Sequence, residues 1–153
     1  METLLPHEFP RPDFRRSPFQ LLNGTYQFAF DDKQVGLSQA WPEQKQLGAS
    51  ILVPYCYQSP ASTVGDTSYH PVVWYKRLFT VDPALQGGKL LLHFGAVDYQ
   101  ATVWVNGNLV GTHTGGYTPF SFEISSYLVG DGKQDLTVRV EDHFDPAQVR
   151  GKQ

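Results

Sequence analysis

Apolar and polar residues alternate along much of this chain with the two-residue period of a strand that buries one face. Tyr26, Phe28 and Phe30 interleave with Gln27, Ala29 and Asp31, and the run stops at the paired acids Asp31 and Asp32. Residues 72–81 (VVWYKRLFTV) mix β-branched and aromatic side chains, residues 89–94 (KLLLHF) form a compact apolar run, and residues 101–105 (ATVWV) alternate small with large. Asn106-Gly107 follows directly and precedes a second apolar pair, Leu109-Val110. Asn-Gly supplies the positive φ angles of a tight hairpin turn, so a hairpin is predicted over residues 101–113. Residues 120–124 and 134–140 (QDLTVRV) complete the set, with Gly130-Asp131-Gly132 turning the chain before the last strand.

No stretch carries a convincing amphipathic helix; a short turn near residues 125–128 is the best candidate. Strands punctuated by Gly and Pro, with no helical periods between them, point to an all-β antiparallel sandwich or barrel and away from parallel α/β folds. Residues 34–68 lack a clear strand pattern except for ILVPYC, where Pro54 predicts an edge strand or an irregular crossing. Residues 1–17, with Pro6, Pro10 and Pro12, read as an extended arm lying on a surface. The chain thus divides into an arm, 1–20, and a single domain, 21–153.

Composition narrows the function classes. A length of 153 residues suits one domain with its own core, since a domain of about 150 residues buries roughly 70% of its unfolded surface. With 41% hydrophobic and 18% charged residues, the chain falls in the soluble globular class. A net charge of -3 gives no field to gather phosphate, so nucleic acid is not an expected partner. No apolar run reaches bilayer-spanning length, and no membrane partner is expected. Cys56 is the only cysteine, which excludes an internal disulfide and suits a reducing compartment. Prolines interrupt the amino end where a secretory leader needs an unbroken apolar run. The expectation is a cytoplasmic protein, or a secreted or periplasmic one whose leader has been removed.

Particular strings point further. The stretch FGAVDYQATVWVNGNLVGTHTGGYTPFSFEIS, residues 94–125, resembles the hallmark of the N-terminal domain of family 2 glycoside hydrolases, and Gly115-Gly116-Tyr117-Thr118-Pro119-Phe120 is similar to β-glucuronidases in particular. LNGTYQFAF (22–30), VWYKRLFTV (73–81) and VRVEDHFDPAQVRGKQ (138–153) resemble flanking segments of the same family, in the same order. The resemblance implies a galactose-binding-domain-like jelly-roll sandwich within a parent β-galactosidase or β-glucuronidase that hydrolyses β-glycosides with retention. In that fold, Phe28, Trp74, Phe79, Leu91, Trp104, Phe122 and Val138 are the expected core, and Trp41, in a loop before Pro42, is the tryptophan expected to be exposed. Gly95, Gly111, Gly115 and Gly116 are read as structural, permitting backbone angles or close approaches.

Catalysis by this chain alone is not expected. A retaining glycosidase needs two carboxylates about 5–5.5 Å apart. Asp31-Asp32 and Glu141-Asp142 are sequence neighbours whose side chains diverge in extended chain, so turn or surface roles fit them better. His7, His70, His93, His113 and His143 show no metal spacing, no serine lies in Gly-x-Ser-x-Gly, and Cys56 has no nucleophile signature, so neither metal nor cofactor is expected. The resemblance places the acids of catalysis on a separate (β/α)₈ barrel. It also implies that this domain lends polar residues to the barrel's rim: His70, and the segment 142–153 with Asp142, His143, Lys152 and Gln153. The expected partners are therefore the remaining domains of the parent enzyme, with carbohydrate bound weakly at most.

Further along, family members enter another strand with a Gly-Ile-Trp-like opening. The resemblance thus implies a sandwich lacking its last strand and an open sheet edge, with self-association by edge pairing or arm swapping. Two alternatives stand beside the accessory-domain reading: a stand-alone lectin-like module, and a scaffold that docks other domains without touching sugar.

Overall fold

The computed structural model describes residues 18–44, 46–130 and 132–144. The arm over residues 1–17, and Lys152 and Gln153 with the end of their segment, lie outside the described residues. Within them the chain is an antiparallel β-sandwich. Its strands are β1 (Gly24–Phe30), β2 (Ala49–Val53), β3 (Val72–Thr80), β4 (Leu91–Phe94), β5 (Gln100–Val105), β6 (Asn108–Thr114), β7 (Phe120–Glu123) and β8 (Lys133–Glu141). Six of them form one sheet in the order β2-β1-β3-β8-β5-β6, and β4 pairs with β7 in the other. Short 3-10 turns at Pro60–Ser62, Pro83–Leu85 and Ser125–Tyr127 are the helical elements among the described residues.

The alternating patterns become strands where expected. β2 is an edge strand that ends just before Pro54, whose ring nitrogen has no proton to extend a ladder. Asn106 and Gly107 take φ of 51° and 76° in the β5–β6 hairpin. The Asn106 side chain then ties that turn to the start of β8: its Nδ2 donates to the Gln134 Oε1 at 2.7 Å and its Oδ1 accepts from the Asp135 N–H at 2.9 Å.

The main core lies between the two sheets and contains Phe28, Ile51, Val73, Phe79, Leu92, Val103, Leu136 and Val138. Trp74 and Trp104 are buried as expected, but on the other face of the large sheet. There they stack at 5.5 Å, beside Val72 and under the loop of residues 31–48. Two expectations fail. Leu91 is 53% exposed and Leu92 takes the core position opposite Phe122, which is itself half-buried. KLLLHF is apolar at both parities, so alternation could not choose between its leucines; the pairing of Leu91 with Glu123 and Leu92 with Phe122 does. Trp41 is half-buried rather than exposed, its ring 5.7 Å from that of Trp74, because the loop folds back over the sheet.

Polar anchors hold that loop down. Asp31 is 3% exposed: its Oδ1 accepts from the Val35 N–H at 2.8 Å, and its Oδ2 accepts from the Gly36 N–H at 2.9 Å and the Trp74 indole at 3.0 Å. Asp31 therefore has the turn role predicted for it, but as a buried group. Lys76, also buried, donates to the Pro42 carbonyl at 2.8 Å and pairs with Asp135 at 3.0 Å. The Gln27 side chain accepts from the Leu47 N–H at 2.8 Å.

Candidate functional site

Antiparallel pairing gathers several strand ends at one pole of the sandwich. Phe30 pairs with Val73, Val72 with Glu141, Gln100 with both Glu141 and Thr114, and Phe94 with Phe120. The pole is therefore built from residues 31–32, 66–71, 95–99, 115–119 and 142–144. Loops grouped at the end of a rigid sandwich are where a β-fold places recognition.

His70 stands at this pole, and both of its ring nitrogens are engaged. The imidazole stacks on Phe30 with centroids 3.6 Å apart and meets Tyr57 edge-on. Its Nδ1 faces the Asp32 Oδ1 at 2.8 Å and its Nε2 faces the Asp66 Oδ2 at 3.4 Å. Asp66 also accepts from the Ser68 N–H, which together with His70 holds its carboxyl below the usual carboxylate value. His70 thus fastens the loop before β3 to the end of β1.

Asp142 and His143 follow β8 directly. The Asp142 N–H donates to the Pro71 carbonyl at 2.9 Å, and the Asp142 carbonyl accepts from the Tyr69 hydroxyl at 3.0 Å. That hydroxyl in turn accepts from the Phe144 N–H at 2.8 Å, so residues 142–144 are laid against the loop before β3. His143 Nε2 contacts the Glu141 Oε1 at 2.6 Å, and the other Glu141 oxygen accepts from Arg139. Burial raises the Glu141 carboxyl, and the hydrogen bonds from Arg139 and His143 outweigh it, leaving the group below its ordinary value. Of the predicted site residues, the structure therefore brings His70, Asp142 and His143 to one pole.

Sequence reasoning passed over Asp98. The Tyr99 N–H donates to the Glu141 carbonyl at 3.4 Å and the Gly115 N–H donates to the Tyr99 carbonyl at 2.9 Å, so Asp98 enters the pole between the ends of β8 and β6. Its carboxyl lies over Gly116, where any Cβ would collide with it. Partial burial, and then the charge of Asp142, push the Asp98 carboxyl above the usual carboxylate value. Tyr99, 44% exposed, follows Asp98 in the chain, and Tyr117, 67% exposed, follows Gly116. Nothing in the spacing of the sequence sets Asp98 apart; only strand register places it beside Asp142.

This pole offers oxygen acceptors and aromatic faces. Among the described residues, no group of three or more His, Cys, Asp or Glu side chains is placed to hold a metal ion.

Comparison with known proteins agrees with this architecture. The family described as glycosyl hydrolases family 2, sugar binding domain, matches residues 19–151. A β-galactosidase of Thermoanaerobacter pseudethanolicus is 33% identical over 122 residues, covering 78% of this chain and 15% of the relative. A β-glucuronidase of Paenibacillus borealis is 29% identical over 133 residues, covering 86% of this chain and 22% of the relative. Among solved structures, a β-glucuronidase of Lactobacillus rhamnosus superposes with a TM-score of 0.74 at 32% identity, covering 82% of this chain and 21% of that one. The chain thus spans about a fifth or less of the length of these relatives, which carry the corresponding stretch as one part of a larger protein. Two packed antiparallel sheets, a pole of polar loops and a family match over nearly the whole chain agree: this protein belongs to the sugar binding domain family of the family 2 glycosyl hydrolases.

Proposed function

We propose that this chain is the accessory sugar-binding domain of a retaining β-glycosidase and that its loop pole forms part of the rim around the substrate. The convergence of His70, Asp142, His143 and Asp98 at the ends of neighbouring strands carries this reading, because it presents polar side chains on a rigid sheet at one place. His70 acts here by fixing the geometry of the pole through Asp32, Asp66 and Phe30. The domain supplies recognition; the paired carboxylates of hydrolysis come from another part of the parent protein. Its partners are those further domains, with carbohydrate held weakly by this domain alone. The sheet formed by β4 and β7 has both of its edges unpaired among the described residues, which favours pairing with another chain. The exposed thiol of Cys56 suits a reducing, cytoplasmic setting.

The test is to compare residues 1–153 with the complete protein of the gene on chromogenic β-galactoside, β-glucuronide, β-glucoside and β-mannoside. The complete protein is expected to turn over at least one and the isolated domain none. Sustained hydrolysis by residues 1–153 that disappears on mutation of a single Asp or Glu would refute the reading. So would a complete protein inert on all four.

A further inference from the structure

The end of the sandwich opposite the loop pole carries an open cleft. β3 finishes there at Thr80, β4 starts at Leu91 and β8 starts at Lys133, so the turns before β4 and β8 gather around it. The cleft measures about 250 Å³. Val81, Leu90 and Leu128 form its apolar wall, each half-buried and packed against the main core, and Gly87 and Gly88 form part of its rim. The core thus runs out to the surface at this end, where covering the apolar wall is favourable. Gly88 adds a second observation. Its φ lies outside the left-handed region and an added Cβ would meet nothing within 4 Å, unlike Gly36 or Gly111, where a Cβ collides. Neither backbone geometry nor packing among the described residues requires glycine there, whereas close approach of another segment would.

A segment of this chain is tethered beside the cleft. The Gln20 side chain spans Val81: its Nε2 donates to the Thr80 carbonyl and its Oε1 accepts from the Asp82 N–H, both at 2.9 Å. Residues 1–17 precede this anchor and include the large apolar side chains of Leu4, Leu5, Phe9 and Phe14. Phe14 is the nearest of these to Gln20, six residues away, which is at most about 20 Å of extended chain. Pro12 and Pro18 lie on either side of Phe14 and restrict the backbone, which lowers the entropy lost when the segment is held in place.

We propose that the cleft walled by Val81, Leu90 and Leu128 is the docking site of residues 1–17 of the same chain, with the Phe14 ring inserted against that wall. The tether at Gln20 makes the chain's own arm the occupant, because it holds the arm at a high effective concentration beside the cleft. The docked arm closes the core at this end and ties the entry of β1 to the turns before β4 and β8. This inference is independent of how the loop pole is used.

Photochemical cross-linking from position 14 tests the placement. Phe14→p-benzoylphenylalanine in the full chain is irradiated in dilute solution, and the products are digested and mapped by mass spectrometry. The expected product is a cross-link within one chain to residues 81–90 or 125–130. Cross-links to those residues only in covalent dimers assign the cleft to the arm of a second copy and overturn the proposal; so do cross-links to any other part of the fold, or none. Trypsin gives a second measurement on an unaltered arm, which it cuts after Arg15 and Arg16. Leu90→Ala should speed these cuts about tenfold relative to the cut after Arg77 in β3, a factor within the worth of burying a phenylalanyl ring, since cleavage follows the population of the undocked arm. The Arg77 cut reports unfolding of the domain, so a variant that merely loosens the fold raises both rates alike. A ratio unchanged by Leu90→Ala overturns the proposal.

Discussion

Asp31 is the residue whose removal should disturb this domain most for its size. Its carboxylate receives the N–H groups of Val35 and Gly36 and the indole of Trp74, at 2.8, 2.9 and 3.0 Å. Asp31→Ala takes away both acceptor oxygens, and with them all three bonds, and adds no replacement. Trp74 is fully buried and the Gly36 bond is buried too, whereas the Val35 bond lies nearer the surface. A buried donor left unpaired costs about 1–3 kcal/mol, so the two deep donors together predict a loss of roughly 2–6 kcal/mol. The space is also tight, for a Cβ on Gly36 would lie 2.7 Å from the Asp31 Oδ2 and 2.8 Å from the Trp74 ring, so rearrangement offers little relief. Urea unfolding followed by tryptophan fluorescence measures the loss, with Trp74 itself as a local probe. A double-mutant cycle with Trp74→Phe isolates the indole bond and should return a coupling of about 0.5–3 kcal/mol. A loss below about 1 kcal/mol for Asp31→Ala, or effects of the two mutations that simply add, would refute the idea that this carboxylate anchors the loop of residues 31–48.

Gly111 lies against Phe122, and a Cβ there would be 2.5 Å from the ring, so Gly111→Ala should cost about 1–3 kcal/mol by overpacking. Phe122→Leu in the same chain should recover part of that loss in thermal melting; equal melting temperatures for wild type and Gly111→Ala would contradict the packing. Because the folded state holds Glu141 below its ordinary carboxyl value of 4.5, it binds this proton less readily than the unfolded chain does. Its stabilising contribution is therefore complete above that value and lost as pH falls through the lower folded value. Chemical denaturation from neutral to acidic pH should show Glu141→Gln with a shallower acid-side decline than wild type, and parallel curves would count against the Arg139–Glu141–His143 arrangement.

The strands were legible because their information is local. Where apolar and polar residues alternate, as in Tyr26–Phe30, parity states which side chains enter the core, and Asn106-Gly107 carries its own turn geometry. Pro54 marks an edge for an equally local reason, the missing N–H. Sheet membership and loop placement depend on residues far apart in the chain. KLLLHF presents apolar side chains at both parities, so only pairing with Phe120–Glu123 decides that Leu92 is buried and Leu91 is not. Trp41 and Asp31 read as loop residues by sequence, yet in space Trp41 is half-buried and Asp31 buried, since the outer face of the sheet carries Trp74 and Trp104 and needs a cover.

The pole follows the same division. Its residue types, and the likeness of its strings to one family, could be read along the chain, and His70 and Asp142 were found that way. Whether a given carboxylate is free could not be read, because that depends on which donors other segments bring to it. Asp32 and Asp66 are engaged because folding places His70 between them, and Asp98 is left open because β5 and β8 run side by side with Gln100 opposite Glu141. The sequence by itself determined the strands, their turns and the family. Tertiary structure alone decided which face is buried where a strand is apolar on both, and which charges remain unpaired, since burial and hydrogen-bond satisfaction depend on everything that packs around a group, not on its neighbours in the chain.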